Sequence, residues 1–322
     1  MLSQKGSMRK IVIIANPASS RGANAKRRSE LISELDRIAI PAGFEYDIVD
    51  TTARGEAVRS GESLPGSGSA LARRAAQEGA EIVAAAGGDG TVGEVANGLV
   101  GTDSILGVIP MGTGNDFSRT IGVGTDLRKA VSALVTGEPK RIDLGKTCGG
   151  YFINIAGCGF DAVVADRVNH GFRYLHGTMA YLASVVQTLM SYRPADVEIE
   201  IDGLIVREKI MLCAVANARS YGGGMLVAPN AVLSDGMFDV VVVGDVSALE
   251  FLKTFPKVFN GTHLSHPKVS VRRGRQVLIR SSKNLPVLAD GEDIGNVPAS
   301  FDICPDAIRV LVPRTSPHYV SI

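Results

Sequence analysis

The sequence predicts an α/β domain built on a parallel sheet, followed by a second domain of mainly antiparallel strands. Two observations carry this. Over roughly the first 140 residues, short apolar runs alternate with amphipathic helical patterns, the texture of β-α-β units. Beyond that point, strand-like pieces follow one another through Gly- or Asn-containing turns, as in an antiparallel sandwich or barrel.

In chain order, KIVIIA (10–15) reads as a buried strand and ANAKRRSELISELDRIA (23–39) as a helix with Leu31, Ile32, Leu35 and Ile38 on one face. FEYDIVD (44–50) is a second strand, ALARRAAQEG (70–79) a helix closed by Gly79, and EIVAAA (81–86) a third strand. A helix over 91–100, a strand over 105–110 and a helix over 126–137 complete the first domain. The Gly/Ser-rich GESLPGSGS (61–69) reads as a mobile surface loop. The second domain contains RIDLGKT, YFINIAG, DVEIEIDG, REKIMLCAVAN, MFDVVVVGD, KVSVRRG, QVLIRSS and LPVLADGE, with apolar helices expected at 160–192 and 247–259. The expected boundaries are 8–138 for the α/β domain and 139–306 for the β-rich domain, with 307–322 free to return to the first.

Composition narrows the class. A 45% hydrophobic, 21% charged chain of 322 residues is globular. A net charge of +1 without a run of like charges gives no sign of nucleic-acid binding. Cys148, Cys158, Cys213 and Cys304 lack metal spacing and are expected to be buried, reduced thiols of a cytosolic protein. The apolar run behind the basic start is five residues long, too short for a signal-peptide core of about 7–15; Met1 and Met8 are both candidate starts. The segment 174–192 is apolar but broken by His176, Gln187 and hydroxyls, so a buried or lip-forming helix is expected rather than a span.

In an open parallel sheet, ligands bind outside the carboxyl ends of the strands. Four polar loops leave those ends here: NPASSRG (16–22), DTTARG (50–55), GGDGT (87–91) and PMGTGNDF (110–117). In GGDGT, glycines permit close backbone approach and positive φ, turning N–H groups toward an anion. Thr91 and Glu94 fit a capping box, T-x-x-E, which starts the helix at Thr91 and leaves Asp89 just before it. Asp89 could cap the helix or organise Mg²⁺ on a triphosphate. Gly112, Thr113, Gly114 and Asn115 repeat the pattern before a helix at Asp116. Neither GxxxxGK[ST] nor a GxGxxG after the first strand is present, which excludes a P-loop protein and an ordinary dinucleotide fold.

GGDGT followed by P-x-G-T-x-N-D-F resembles the diacylglycerol kinase catalytic family, which includes bacterial lipid kinases and sphingosine kinases. NP-x-S, NIAGCGFDA (154–162), YGGGMLVAPNAVLSDGMFDVVVV (221–243) and LADGE (288–292) continue the resemblance over nearly the whole chain. It implies a Rossmann-like first domain, similar to NAD kinases and phosphofructokinases, and an antiparallel β-sandwich second domain. It further implies an ATP-dependent lipid kinase with Mg²⁺, acting on diacylglycerol or a related lipid. Asn16, Ser19, Arg21, Thr51, Gly88, Asp89, Gly90, Thr91, Glu94 and Thr113 would line the nucleotide, and Asp116 would organise the cleft. Asp235, with the carbonyls of Val232 and Met237, would hold a structural Mg²⁺. Asp290 and Glu292 would supply the general base and its support, in either order.

The resemblance has departures. Ser20 stands where the family often has glycine, Arg21 where bacterial members often carry lysine, and Arg173 is the candidate interdomain cation. The implied setting is cytoplasmic, with peripheral contact at the inner membrane face. A homodimer through an exposed β edge stays open. Two rivals share parts of the pattern: an NAD kinase-like enzyme, and a nucleotide- or lipid-binding regulator without catalysis.

Overall fold

A computed structural model describes residues 9–18, 24–52, 66–160, 162–164, 187–189 and 191–314. The chain forms two compact units, one from residues 1–57, 62–142 and 306–322, the other from 58–61 and 143–305.

In the first unit, β1 (Arg9–Ala15), β2 (Phe44–Asp50), β3 (Ile82–Gly87) and β4 (Ile105–Pro110) run parallel in the order β2-β1-β3-β4. β3 and β4 are buried along their whole length, which is why they read as uninterrupted apolar runs. The order reverses at β1, so the crevice between the ends of β1 and β3 is the topological switch point. The register levels those ends: Ala15 lies beside Asp50 and Ala86, and Gly87 beside Pro110. All four polar loops therefore leave the same edge of the sheet.

The helices cover this sheet through small and aliphatic residues. On α1 (Asn24–Ile38), Leu31 and Leu35 are buried while Ile32 is exposed. The expected four-residue face narrows because Ile32 lies a quarter-turn off the i, i+4, i+7 line of Leu31, Leu35 and Ile38. The helix α2 (Gly68–Gln77) is capped by Ser67, whose hydroxyl accepts from the Ala70 N–H at 3.3 Å, and Gly79 closes it at φ +85°. After it come α3 (Asp89–Leu99), α4 (Asp116–Thr120) and α5 (Leu127–Thr136).

Among the described residues the strands of the second unit pair antiparallel. Its strands are β6 (Gly150–Phe152), β7 (Ile155–Gly159), β8 (Ala195–Ile201), β9 (Leu204–Ala216), β10 (Phe238–Gly244), β11 (Val269–Gly274), β12 (Gln276–Ser281), β13 (Pro286–Ala289) and β14 (Glu292–Asn296). β5 (Glu138–Thr147) enters the unit and β15 (Ala299–Val312) leaves it. The long β9 is shared: residues 204–210 pair with β8, and its C-terminal part pairs with β7 and β10. Phe152 stacks on Phe238 at 5.7 Å and meets Phe301 edge-on at 6.1 Å, in the centre of the core. Each such ring contributes about 1.5–3 kcal/mol by leaving water.

Two hairpins turn on Asp-Gly. Asp202-Gly203 joins β8 to β9 with φ of +48° and +84°, and Asp290-Gly291 joins β13 to β14 with φ of +50° and +86°. Positive φ at both central residues is the two-residue turn that matches strand twist, and Asp-Gly is among its preferred sequences. The cysteines depart from expectation. Cys158 and Cys213 are buried free thiols, but Cys148, at the tip of the β5–β6 hairpin, is exposed and Cys304 is half-buried. The segment 161–190 is largely outside the described residues, as are most of 61–69, Ser19, Arg21 and Arg173.

Candidate active site

The carboxyl edge of the first unit's sheet carries two loops braced against each other. The Met111 and Gly112 N–H groups both donate to the Gly87 carbonyl, at 2.8 and 3.1 Å. The Asn115 side chain closes the second loop, accepting from the Gly112 N–H at 3.0 Å and donating to the Gly112 carbonyl at 2.8 Å. Asn115 adopts φ +53°, the left-handed conformation that asparagine tolerates better than most residues. Gly88 has φ −89°, and neither Gly112 nor Gly114 has a positive φ. The glycines here serve closeness rather than left-handed geometry: a Cβ on Gly112 would stand 2.4 Å from the Gly88 Cα.

Helix α3 begins two residues earlier than the T-x-x-E pattern suggests. Gly88 is its N-cap, without a side-chain cap, and Asp89 lies in the first turn, where a negative charge complements the helix dipole. Thr91 is buried. Glu94 makes no capping box with it; its carboxylate accepts from the Gly68 N–H of α2 at 2.6 Å and satisfies the start of the neighbouring helix. Glu94→Ala is therefore expected to lower unfolding free energy by about 1.5–3 kcal/mol, the worth of a hydrogen bond to a charged group. Urea unfolding measures it.

Asp89 joins the loops. One carboxylate oxygen accepts from the Phe117 N–H at 3.0 Å, in the first turn of α4; the other has no partner among the described residues. Asn16 accepts from the Ala18 N–H at 2.9 Å, and its own N–H donates to the Ala86 carbonyl. The Thr51 N–H donates to the Ala15 carbonyl at 2.9 Å. Thr113 stands exposed at the loop tip and Asp116 is buried at the start of α4. Asn16, Thr51, Gly88 to Thr91 and Thr113 thus share one edge, whose helix-start N–H groups suit phosphate.

In the second unit the two carboxylates of the DGE sequence do different things. Asp290 reaches back to the strand start beside it. Its oxygens accept from the N–H groups of Ile153 at 2.7 Å, Asn154 at 2.8 Å and Ile155 at 3.3 Å. Asp202, in the other Asp-Gly turn, clamps the Arg275 and Gln276 N–H groups in the same manner, at 3.0 and 2.9 Å. Glu292 begins β14 with its side chain exposed.

The third acidic group sits differently again. Asp235 accepts from the Met237 N–H at 3.1 Å and pairs with the Arg273 guanidinium, which also donates to Asp239 at 3.1 Å. Asp143 accepts from the Gly236 N–H at 2.7 Å and ties the same turn from below. Burial pushes the Asp239 carboxyl up, against the pull of Arg273. Asp235, the residue expected to hold a structural Mg²⁺ with the carbonyls of Val232 and Met237, has its charge balanced here by the Arg273 guanidinium. Among the described residues no group of three or more His, Cys, Asp or Glu could hold a metal. Arg273 and Asp143 had no signal in the sequence, since both contacts join distant segments.

The second unit also holds an apolar cavity with about 770 Å³ of empty space, part of it open to solvent. Phe160, Leu212, Tyr221, Val241, Phe251 and Phe255 are among its walls. His263 belongs to the wall, buried, with Nε2 3.1 Å from the Val227 carbonyl, and burial pushes its pKa down.

A doubly wound sheet edge suited to phosphate, joined in one chain to an antiparallel domain with an apolar cavity, is the arrangement expected of a phosphotransferase for a greasy acceptor. Comparison with known proteins agrees. Residues 10–147 match the diacylglycerol kinase catalytic domain and residues 154–312 the YegS C-terminal NAD kinase beta sandwich-like domain. The chain is 33% identical to a diacylglycerol kinase of Bacillus subtilis (strain 168), over 95% of this chain and 97% of that one. It is 34% identical to a diacylglycerol kinase of Mycobacterium tuberculosis (strain ATCC 25618 / H37Rv), over 95% and 96%. A crystal structure from Bacillus anthracis str. Sterne shares the fold with a TM-score of 0.76 at 23% identity, covering 96% of this chain and 99% of that one. The chain belongs to the diacylglycerol kinase family of ATP-dependent lipid kinases.

Proposed function

We propose that the protein transfers the γ-phosphate of ATP to the hydroxyl of diacylglycerol or a closely related lipid. The observation that carries this reading is the second oxygen of Asp89 at the start of α3, without a partner among the described residues and next to Gly90, where a Cβ would meet nothing within 4 Å. Gly88, Gly90 and Thr91 offer N–H groups to the phosphates, with Asn16, Thr51 and Thr113 along the same edge. Ser19 and Arg21 belong to this set by resemblance. One carboxylate oxygen, with phosphate oxygens and water, is a common ligand set for Mg²⁺ brought in by ATP, and the ion would neutralise charge on the transferred group.

Glu292 takes the proton of the acceptor hydroxyl in this reading. Asp290 is the positioning residue: three N–H groups hold its carboxylate, and it fixes the turn from which Glu292 projects. The acyl chains occupy the apolar cavity of the second unit. No helix among the described residues is long and apolar enough to cross a membrane, and the proposed setting is peripheral contact with the inner face of the membrane.

The test is a panel with labelled ATP, Mg²⁺ and separately diacylglycerol, phosphatidylglycerol, a sphingoid base, a polyprenyl alcohol and NAD, resolved by thin-layer chromatography. Diacylglycerol should give the strongest labelled product, and Asp89→Asn should abolish it. Labelled NAD with no labelled lipid would reverse the assignment.

A further inference from the structure

One wall of the apolar cavity is a short helix whose opposite side is also greasy. The helix α6 (Ala248–Thr254) continues as a 3-10 stretch, Phe255–Asn260. Glu250, Phe251, Thr254, Phe255 and Val258 line the cavity, the spacing of one helical face. At 100° per residue, Leu249, Leu252, Lys253 and Pro256 fall on the other face. That face is uncovered: Leu249 is 63% exposed and Leu252 47%, and the helix has no fully buried residue. Phe259 follows at 52% exposure. Three of the eight large hydrophobic side chains exposed among the described residues thus sit within eleven positions.

Charge surrounds this apolar strip in one sign. Lys253 and Lys257 are exposed and no carboxylate among the described residues pairs with either. The local acids are engaged elsewhere: Glu250 completes a capping box with Ser247 and pairs with Lys268 at 3.1 Å, and Asp245 pairs with Lys209 at 2.9 Å. The cap holds the helix start firmly; the Ser247 N–H draws the Glu250 carboxyl down to about 2. Aromatic rings connect the strip with the cavity. Phe160 meets Phe251 at 4.9 Å, Phe251 meets Phe255 at 5.5 Å, and Phe255 meets the exposed Phe259 at 6.1 Å.

We propose that residues 249–259 dock the protein on an anionic phospholipid bilayer, with Leu249, Leu252 and Phe259 entering the acyl boundary and Lys253 and Lys257 meeting headgroups. An apolar strip flanked by unpaired lysines is the composition of an interfacial helix. A second copy of the chain suits the strip less, because a twofold contact there would bring like charges together. The inference rests on the lipid-kinase reading in one respect: the helix that touches the bilayer is the wall behind which the acyl chains lie.

The experiment is sedimentation of the full chain with vesicles of phosphatidylglycerol and phosphatidylcholine, alongside phosphorylation of a short-chain diacylglycerol that is monomeric in solution. The double variants are Leu249→Asp/Leu252→Asp and Lys253→Glu/Lys257→Glu. Vesicle binding should fall at least tenfold in each, since one basic residue at such a surface is worth about fivefold. Activity on the monomeric lipid should persist. Unchanged vesicle affinity in both variants, or a change from dimer to monomer on gel filtration, would overturn the docking assignment. If the wild-type protein binds vesicles through these residues yet phosphorylates no lipid, docking stands and the kinase reading fails.

Discussion

Replacing Glu292 with Gln is expected to lower kcat by about 10²–10⁴-fold while leaving the KM for ATP near its original value. Glutamine keeps the shape and removes the ability to take a proton. Glu292 follows a hairpin turn that the protein spends three backbone hydrogen bonds holding in place, all of them accepted by Asp290. Asp290→Asn gives the contrast. It weakens the clamp, so unfolding free energy should drop by about 1–3 kcal/mol, measured by urea titration, with activity falling as the turn loosens. Glu292→Gln should change stability by no more than about 0.5 kcal/mol, the usual range for a substitution at an exposed position. A Glu292→Gln enzyme with normal kcat would move the base elsewhere.

Gly112→Val should disable nucleotide binding and destabilise the first unit together. The new Cβ would stand 2.4 Å from the Gly88 Cα and 3.0 Å from the Gly88 nitrogen, and neither neighbour is a side chain that can swing away. Overpacking of this kind costs about 1–3 kcal/mol, and here the backbone that must yield is the phosphate-facing loop itself. Affinity for a fluorescent ATP analogue should fall at least tenfold. Gly90→Ala separates crowding within the protein from crowding by ligand. Nothing lies within 4 Å of a Cβ there, so helix propensity should raise stability, by up to about 1 kcal/mol. If nucleotide affinity falls in that variant, the loop must be bare for the phosphates rather than for its own packing.

The parallel domain was legible because burial on both faces leaves an unmistakable trace: β3 and β4 are apolar from end to end. The strand-end loops could be named for the same reason, since the sheet order places polar residues such as Asn16, Thr51 and Asp89 on one edge. What escaped were contacts joining distant segments. Glu94 looks like a cap for Thr91 because a sequence shows a four-residue interval and conceals the helix lying alongside, whose Gly68 N–H was the stronger claim. Asp290 reads as chemistry in DGE, yet Asp202 makes an equivalent clamp from a DG turn that carries no such motif. A sequence motif cannot distinguish a carboxylate that holds backbone from one that faces a substrate. The Arg273 pairing with Asp235 is hidden likewise, across 38 residues.

The last strand bears on how the protein is made. β15 pairs with β12 through Ala299 to Asp302 and lies parallel to β4 through Arg309 and Val310, and Leu311 belongs to the core of the first unit. A ribosome delivers that strand after every other described strand, so β4 must wait with an unpaired edge while the intervening polypeptide is synthesised. Nascent chains halted before residue 306 should be the form that depends on chaperones, and grafting 306–314 onto a fragment ending at 142 is the direct way to relieve that dependence.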